Sequence, residues 1–271
     1  MQPTTMDITF LGTGTSHGIP VVGCSCAVCG SADSRDTRWR SSVLVRGRSG
    51  ESLLVDAGPE FRLQALRAGI DRLDAVFLTH AHADHIHGLD DLRPLTVRAP
   101  LPVYGNAEAV AELRERFSYV FRETQRGGGK PRLITSVVRD EVAAGSVRIR
   151  AIPVKHGGLD ILGWKFIADG ASFAYVTDAS RIDQASFGEL RGLDLLVLGA
   201  LRARPHATHM SFGEAAEVIR AAAPARALVT HLCHEHTHAE AEEYFRNLGI
   251  LCGKGEAIEP AWDGLRVSFS N

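Results

Sequence analysis

Short apolar runs that end at a ligand-type side chain are the most regular feature of this chain. Continuous apolar runs of this length are typical of strands that are buried on both faces of a sheet. Because a polar residue follows each run directly, we expect these polar residues to meet at one rim of the sheets. The four runs are 53–55 before Asp56, 76–79 before His80, 173–177 before Asp178 and 227–230 before His231.

Helical patterns separate the apolar runs and favour an α/β fold. Gly69 is placed to end the first helix, and Ser211 with Glu214 has the spacing of a capping box at the start of the third. The glycine-rich segment 122–132 is predicted to be a loop, either a plain surface connection or a lid. Predicted helices span 60–68, 107–117, 211–222 and 239–248, and further strands span 8–11, 42–45, 133–138, 147–153, 164–168 and 265–269.

The composition describes a globular chain without a strong net charge. A length of 271 residues with 45% hydrophobic residues is enough for one large domain or two smaller ones. The net charge of -2 gives no overall attraction to nucleic acid or to a membrane surface. No apolar run approaches a membrane span, and residues 1–6 lack the features of a signal peptide. We therefore expect a cytoplasmic protein with no membrane partner and no extended nucleic-acid surface.

A dense group of metal-ligand side chains follows the second apolar run. The sequence His80-Ala81-His82-Ala83-Asp84-His85 places three imidazoles and one carboxylate within six residues. Such groups pack poorly in an ordinary core, whereas a divalent cation between them would compensate their polarity. Imidazole suits zinc, manganese and iron, and the carboxylate suits the harder member of a pair. The spacing HxHxDH therefore predicts a metal site rather than a histidine-rich surface loop.

Three of the five cysteines are crowded into the segment 24–29. In a reducing cytosol, Cys24, Cys26 and Cys29 are more typical of thiolate metal ligands than of disulfides. Together with His234 they would form a closed tetrahedral zinc set with no position left for substrate. The alternative is three free thiols on a surface loop. Cys233 competes with these ligands in principle, but its side chain is expected to point away from that of His234.

The order of these motifs resembles that of the metallo-β-lactamase-fold hydrolases over nearly the whole chain. The resemblance rests on HxHxDH, on His156 after an apolar strand, on Asp178 and on His231. It implies an αββα sandwich in which two mixed β-sheets pack face to face with helices on the outer faces. It also implies that residues 1–271 form a single domain.

The resemblance further implies two divalent ions, zinc or manganese, in the active site. Asp56 would orient the histidine loop from behind the ligands. Two ions about 3.5–4 Å apart that share a water-derived ligand make hydroxide available near neutral pH. The implied ligands are His80, His82 and His156 for the first ion, Asp84, His85 and His231 for the second, and Asp178 between the two.

Two further motifs resemble the phosphoribosyl 1,2-cyclic phosphate phosphodiesterase (PhnP-like) family. One is the CxCxxC set with His234, and the other is the segment from Gly12-Thr13-Gly14 to Pro20. The resemblance implies one structural zinc in a cysteine-rich loop at about residues 20–40, and a homodimer is usual for the family. The glycines of Gly12-Thr13-Gly14 are predicted to form a tight turn, because a GxG alone is weak evidence for a phosphate cradle.

A second histidine-rich segment precedes the third predicted helix. His209 matches a histidine that the phosphodiesterases, and the tRNA 3′-end-processing endonucleases, place beside the metals. A protonated imidazole there would stabilise phosphorane oxygens or protonate the leaving alkoxide, which contributes about 10²–10⁴-fold. Arg202 and Arg204 are either phosphate contacts or an exposed cationic pair. We expect His209 and Asp84 to be catalytic and His209, His206 and Ser211 to bind substrate, with the dipole of the following helix favouring an anion.

The sequence thus predicts a binuclear metal-dependent phosphodiesterase, a phosphoric diester hydrolase that converts a small phosphodiester, cyclic or open, into a phosphomonoester. The alternatives are a thioester or lactone hydrolase of the same fold and a nuclease that does not process tRNA. A tRNA-processing endonuclease needs a long substrate-gripping insertion, for which the interval from His156 to Asp178 leaves no room. A non-enzymatic relic of the fold would have broken ligands, and none is broken here.

Overall fold

Two mixed β-sheets of seven strands each form the centre of the molecule in the computed structural model, which describes residues 4–123 and 129–270. In spatial order, the first sheet contains β14 (Arg266–Ser270), β1 (Thr4–Gly12), β2 (Ser42–Gly47), β3 (Ser52–Val55), β4 (Ala75–Phe77), β5 (Leu101–Gly105) and β6 (Leu133–Val137). The second contains β13 (Glu259–Pro260), β12 (Arg226–Thr230), β11 (Leu195–Gly199), β10 (Ala171–Val176), β9 (Leu159–Ala168), β8 (Val147–His156) and β7 (Glu141–Ala144).

Both sheets change from antiparallel to parallel pairing part-way across. In the first sheet β1, β2 and β3 pair antiparallel, whereas β3, β4, β5 and β6 pair parallel. In the second sheet the parallel strands are β10 to β13. Loops that leave the carboxyl ends of β3, β4, β10 and β12 therefore emerge on the same rim of their sheets.

The helices cover the outer faces of the two sheets. In chain order they are α1 (Phe61–Ala68), α2 (Ala83–Ile86), α3 (Ala107–Arg116), α4 (Ser118–Phe121), α5 (Gln184–Phe187), α6 (Phe212–Ala222) and α7 (His238–Asn247). Gly69 ends α1 in the left-handed conformation with φ 62°. The capping box of Ser211 and Glu214 is present at the start of α6, and Thr237 with Glu240 forms a second one at α7.

Three apolar layers hold the sheets and helices together. The layer between the sheets joins residues such as Phe10 and Phe77 of the first sheet to Trp164 and Phe173 of the second. A second layer packs α6 and α7 on the second sheet, and a third packs α1 and α3 on the first. Strands with apolar residues on both faces match the continuous runs in the sequence. The predicted αββα sandwich is confirmed.

The boundaries of some elements differ from the prediction. The strand β4 ends at Phe77, two residues earlier than predicted, because the backbone N–H of Thr79 donates to the Asp56 side chain instead of to a neighbouring strand. The strand β8 continues to His156, which is thus its last residue. Four strands, β5, β7, β11 and β13, are absent from the predicted set. Residues 124–128 of the predicted glycine-rich loop lie outside the described residues.

The segment Gly12-Thr13-Gly14 does not form the predicted tight turn, because Gly12 is the last residue of β1 and Gly14 makes bridges to Arg40 and Leu232. Its backbone closely approaches a neighbouring segment. A Cβ atom on Gly12 would lie 2.0 Å from the carbonyl oxygen of Arg40, and one on Gly14 would lie 2.4 Å from that of Arg38. The glycines are therefore needed for packing. Among the described residues, no helix has both the length and the apolarity to span a bilayer.

Candidate metal centre

Three of the four polar residues at the strand ends have an unusual backbone conformation. Asp56, Asp178 and His231 have φ values of 58°, 58° and 61°, in the left-handed region that side chains other than glycine rarely adopt. Such a conformation costs about 1–3 kcal/mol and persists only where the surroundings enforce it. Each strand turns sharply at this residue, which directs its side chain into the rim of the sheets.

The first predicted ligand set comes together at this rim. His80, His82 and His156 offer ring nitrogens that lie within 4.8 Å of one another. Nε2 of His80 is 2.9 Å from Nδ1 of His82. Nδ1 of His156 is 2.7 Å from the carbonyl oxygen of Thr208, which leaves Nε2 to face the cluster. The three imidazoles form an open set of nitrogen donors of the kind that zinc and similar ions accept.

The second predicted set lies beside the first. Nε2 of His85 is 3.1 Å from Oδ2 of Asp84 and 3.4 Å from Oδ2 of Asp178. Nε2 of His231 is 3.0 Å from the other oxygen of Asp178. Both of these histidines belong to the second set. Asp178 also has a carboxylate oxygen within 4.8 Å of a ring nitrogen of His156, a member of the first set, so it lies between the two sets. Burial opposes ionisation of Asp178, but the His231 and His85 rings hold its pKa well below its usual range.

The donor atoms of this set fit a cation better than they fit one another. Nε2 of His85 and Nε2 of His231 are buried and have no hydrogen-bond partner within the described part of the chain, although carboxylate oxygens are 3.0–3.4 Å away. Neighbouring ligands of a tetrahedral zinc lie about 3.4 Å apart, given bonds of about 2.0–2.2 Å. Both the spacing and the unpaired nitrogens fit side chains arranged around a shared metal position.

Asp56 lies behind the histidine loop, as the resemblance implied. Its Oδ1 accepts from the backbone N–H of Thr79 and its Oδ2 from the hydroxyl of Thr79, both at 2.8 Å. Oδ2 also lies 2.7 Å from Nδ1 of His85. A carboxylate in this place fixes the orientation of a ligand imidazole and raises its basicity.

His209 lies at the edge of both sets. Its Nδ1 is 3.7 Å from Oδ1 of Asp178, and its ring is 4.6 Å from that of His156 and 4.8 Å from that of His231. Burial and repulsion from His231 lower the pKa of His209 to about 3. The sequence predicted a protonated imidazole, whereas these surroundings favour the neutral ring, which keeps one N–H for donation.

The remaining predicted substrate contacts have different surroundings. The exposed ring of His206 lies 5.2 Å from that of His209. The hydroxyl of Ser211 donates to Oε2 of Glu214 at 2.7 Å, so it serves the helix cap. Glu235 accepts from both Arg202 and Arg204, at 2.7 Å and 2.6 Å. The two arginines are therefore partly neutralised at the rim of the site.

The cysteine-rich loop and His234 also come together. Nδ1 of His234 lies 3.4, 3.5 and 3.6 Å from the sulfur atoms of Cys24, Cys26 and Cys29. Bonds of about 2.3 Å to sulfur and about 2.0 Å to nitrogen place tetrahedral zinc ligands about 3.5 Å apart. The backbone N–H of Cys29 lowers the pKa of Cys26 to about 6, and burial raises that of Cys29 to about 11. Cys233 lies outside this group.

Comparison with known proteins assigns the chain to a family. A family model described as a beta-lactamase superfamily domain matches residues 51–232. The chain belongs to the metallo-β-lactamase superfamily. A crystal structure of a new diphosphatase from the PhnP family is similar over 98% of both chains, with 38% identity and a TM-score of 0.86. Within the superfamily the chain is thus PhnP-like, which supports a metal-dependent hydrolase.

Two other proteins that are similar to this chain have names that indicate different functions. An octanoyltransferase from Porphyromonas gingivalis is 38% identical over 95% of the chain, but the chain spans only 50% of that protein. The structure of zinc-bound PqqB from Methylobacterium extorquens has a TM-score of 0.81 at 17% identity, over 97% of this chain and 100% of that one. The likeness to PqqB concerns the fold alone.

A small pocket adjoins the metal-ligand histidines of this metallo-β-lactamase-fold chain and is absent from the sequence prediction. It has a volume of about 230 Å³. Asn106 joins two of its walls, because its side chain donates to the carbonyl of Asp160 and accepts from the N–H of Ala109. An N-cap residue was the only signal in the sequence. The lining residues include His80, His82, Asn106, Glu108, Glu112, Arg116, Leu159 and Asp160.

Proposed function

We propose that this protein is a binuclear metal-dependent phosphodiesterase that hydrolyses a small phosphodiester, cyclic or open, to a phosphomonoester. The observation that carries the proposal is the position of His209, whose Nδ1 lies 3.7 Å from the Asp178 carboxylate between the two ligand sets. Hydrolysis of a thioester or lactone has no evident use for an imidazole there. A phosphoryl group has additional oxygens that need a hydrogen-bond donor.

The seven ligands divide into two sets that fit two divalent ions, which we propose to be zinc or manganese. When bound, such a pair supplies Lewis acidity and lowers the pKa of water towards neutrality. The side chains of this chain supply the positioning. Thr208 fixes the ring of His156 through its carbonyl oxygen, and Asp56 fixes that of His85. Asp84 and Asp178 contribute the carboxylate oxygens that favour the harder cation of a pair.

His209 would donate a hydrogen bond from its ring N–H to an oxygen of the phosphoryl group. A neighbouring negative charge raises the pKa of a histidine, so an anionic substrate also favours the protonated ring that donates a proton to a leaving alkoxide. We propose that His206, whose ring lies 5.2 Å from that of His209, contacts a part of the substrate that extends away from the metals.

The pocket beside His80 and His82 supports a small substrate. Its volume of about 230 Å³ is below the usual range of about 300–1,000 Å³ for ligand pockets. The carboxylates of Glu108, Glu112 and Asp160 line it. Arg116 pairs with Glu112 and Lys155 with Asp160, so the pocket offers a polyanion little net positive charge. We therefore propose that the alcohol portion of the diester lies here and that a long nucleic acid does not.

Acyl chemistry is the second candidate, because a relative with 38% identity is named an octanoyltransferase. The chain spans half of that protein, whereas it matches the PhnP-family diphosphatase over 98% of both chains. Phosphorus chemistry therefore has the broader support.

A substrate panel tests the proposal. It contains bis-p-nitrophenyl phosphate, 2′,3′-cyclic nucleotides, ribose cyclic phosphates, a dinucleoside diphosphate, a thioester and a lactone, each with zinc and with manganese. We expect the wild-type protein to cleave a phosphodiester. A chelator should abolish this activity, and the His231→Ala variant should not show it. Turnover of the thioester or lactone, with every phosphodiester left intact, would contradict the proposal.

A further inference from the structure

Arg38 is a fully buried arginine that the proposed reaction does not use. Its side chain is 0% exposed, and its Nη2 lies 3.0 Å from Oδ1 of Asp36, whose side chain is 3% exposed. Transfer of such charges from water costs several kcal/mol per ion, so a buried pair persists where further hydrogen bonds compensate. Burial lowers the pKa of Arg38, and the Asp36 carboxylate opposes that shift.

These further hydrogen bonds all reach one segment, between β12 and α7. Nη1 of Arg38 donates to the carbonyl of Cys233 at 2.7 Å, and Nη2 donates to that of His236 at 3.0 Å. Oδ1 of Asp36 accepts from the backbone N–H of His238 at 2.6 Å. The segment has no regular secondary structure until α7 begins. The Asp36–Arg38 pair thus satisfies backbone groups that a helix or strand would otherwise satisfy.

The same segment carries ligands of two different predicted sites. His231 belongs to the second active-site set and His234 to the cysteine set, and the carbonyl of Cys233 lies between them in sequence. His231 has a φ of 61°, which only its surroundings can maintain. On its upstream side, the carbonyl of Thr230 accepts from the backbone N–H of Ala200 at 2.8 Å. Directly after it, the backbone N–H groups of Leu232 and Cys233 donate to the carbonyls of Thr13 and Leu201 at 3.1 Å and 3.0 Å. On this downstream side, Arg38 adds a side-chain hydrogen bond to the carbonyl of Cys233.

We infer that Arg38, paired with Asp36, is a positioning residue for His231 and thereby sets the affinity of the second metal position. A ligand constellation works only when its members are held to within about 0.5 Å, and hydrogen bonds behind the ligands provide that precision. The side-chain hydrogen bonds of Arg38 go to Asp36, Cys233 and His236, and none of them reaches the first set, which consists of His80, His82 and His156. The inference rests on the two-metal site of the proposed function.

Metal titration of variants tests this role. Arg38→Met removes the donors, and the double variant Asp36→Asn/Arg38→Met also avoids an unpaired buried carboxylate. We expect the second active-site ion to bind about 10–100-fold more weakly in the double variant, because loss of a partner behind a ligand usually has that effect. Arg38→Lys should restore part of the affinity, since it keeps the charge and one donating group. Apoprotein is titrated with Co²⁺ and Zn²⁺ against a competing chelator, and thiolate-to-cobalt absorption reports the cysteine set separately.

Ile149→Val is the matched control, since it weakens the layer between the sheets away from this segment. Equal affinity for the second ion in the double variant and the control would overturn the inference, and so would an equal loss at all three metal positions. Wild-type protein that binds only one active-site ion would overturn both the inference and the two-metal part of the proposed function. Failure to cleave any phosphodiester, with two active-site ions bound, would contradict the proposed reaction alone.

Discussion

Oδ2 of Asp56 lies 2.7 Å from Nδ1 of His85, and both side chains are fully buried. The contact directs Nε2 of His85 towards Asp84 and Asp178. Asp56 also receives two hydrogen bonds from Thr79, at the end of the neighbouring strand. One carboxylate therefore joins the ends of β3 and β4 and orients a predicted metal ligand.

Asp56→Asn should weaken metal binding with little change in the fold. Asparagine tolerates the left-handed φ of 58° and keeps the shape of the side chain, but it lacks the negative charge behind His85. We expect an affinity for the second ion about 10–100-fold lower. Metal content after dialysis against increasing chelator measures it. Asp183→Asn, at an exposed carboxylate, is the control, and equal metal retention in the two variants would refute this role.

His209→Ala should lower kcat by about 10²–10⁴-fold without loss of metal. A ring nitrogen of His209 lies within 4.8 Å of donor atoms of His156 and Asp178, but without it the first set still has three donors and the second has four. His209→Gln separates two roles of the ring. An amide donates a hydrogen bond but transfers no proton, so activity regained in this variant indicates stabilisation of a phosphoryl oxygen.

His206→Ala is the control for this pair of variants, since its exposed ring lies 5.2 Å from that of His209. We expect it to raise KM for the substrate more than it lowers kcat. Wild-type kcat in His209→Ala would contradict the proposed role. Loss of an active-site ion in that variant would instead make His209 a ligand.

The sequence predicts the site better than it predicts what lies behind the site. Buried apolar runs end where polar ligands begin, so Asp178 and His231 could be placed on one rim without a structure. The strand Leu195–Gly199 carries an equally apolar run, but it ends at a glycine and is absent from a prediction based on ligand-type ends. The strand Leu101–Gly105 is also difficult to predict, because it contains Pro102 and proline is unusual inside a sheet.

Long-range burial accounts for the features that the sequence does not indicate. Asp36 and Arg38 have the appearance of a solvated charged pair, and they become buried only because a segment 195–202 residues away folds over them. The neutral ring of His209 has the same origin, since burial among other histidines lowers its pKa. The capping boxes are local, and the one at Ser211 was accordingly predictable.

Cys26→Ser should remove one zinc ion and leave two of the three metal ions that we propose for the wild type. The sulfur atom of Cys26 is 3.5 Å from Nδ1 of His234, within a set that fits tetrahedral zinc. Because a structural zinc contributes directly to folding, we also expect a lower melting temperature. Metal analysis by mass spectrometry and a thermal melt measure the two effects. Two ions per chain in the wild type would contradict the separate cysteine site.

Gly14→Ala should destabilise the fold by about 1–3 kcal/mol, the usual cost of overpacking. The new Cβ atom would lie 2.4 Å from the carbonyl oxygen of Arg38 and 2.9 Å from its Cβ, so the backbone must shift. Gly158→Ala is the control, since nothing lies within 4 Å of a Cβ atom there. Denaturant unfolding compares the two. Equal stability would show that the contact with Arg38 relaxes at no cost.

Asp263 should make stability fall as the pH rises towards neutrality. Burial raises its pKa to about 7, although the N–H of Trp39 and the hydroxyl of Thr13 donate to its carboxylate. The unfolded chain releases this proton near pH 3.8, so between about pH 4 and pH 7 the folded state holds the additional proton. The stability linked to this proton is complete below pH 3.8, falls progressively as the pH rises from there, and is lost once the pH has passed about 7.

Asp263→Asn removes this titration and is the test. The free energy of unfolding of the wild type, minus that of the variant, should decrease by up to about 1.4 kcal/mol per pH unit between pH 4 and pH 7. Urea unfolding at several pH values, at constant metal concentration, measures this difference. Because Asp263 belongs to neither metal set, metal loss at low pH affects both proteins equally. A difference that does not vary with pH would mean that the carboxyl group is ionised in the folded protein throughout this range.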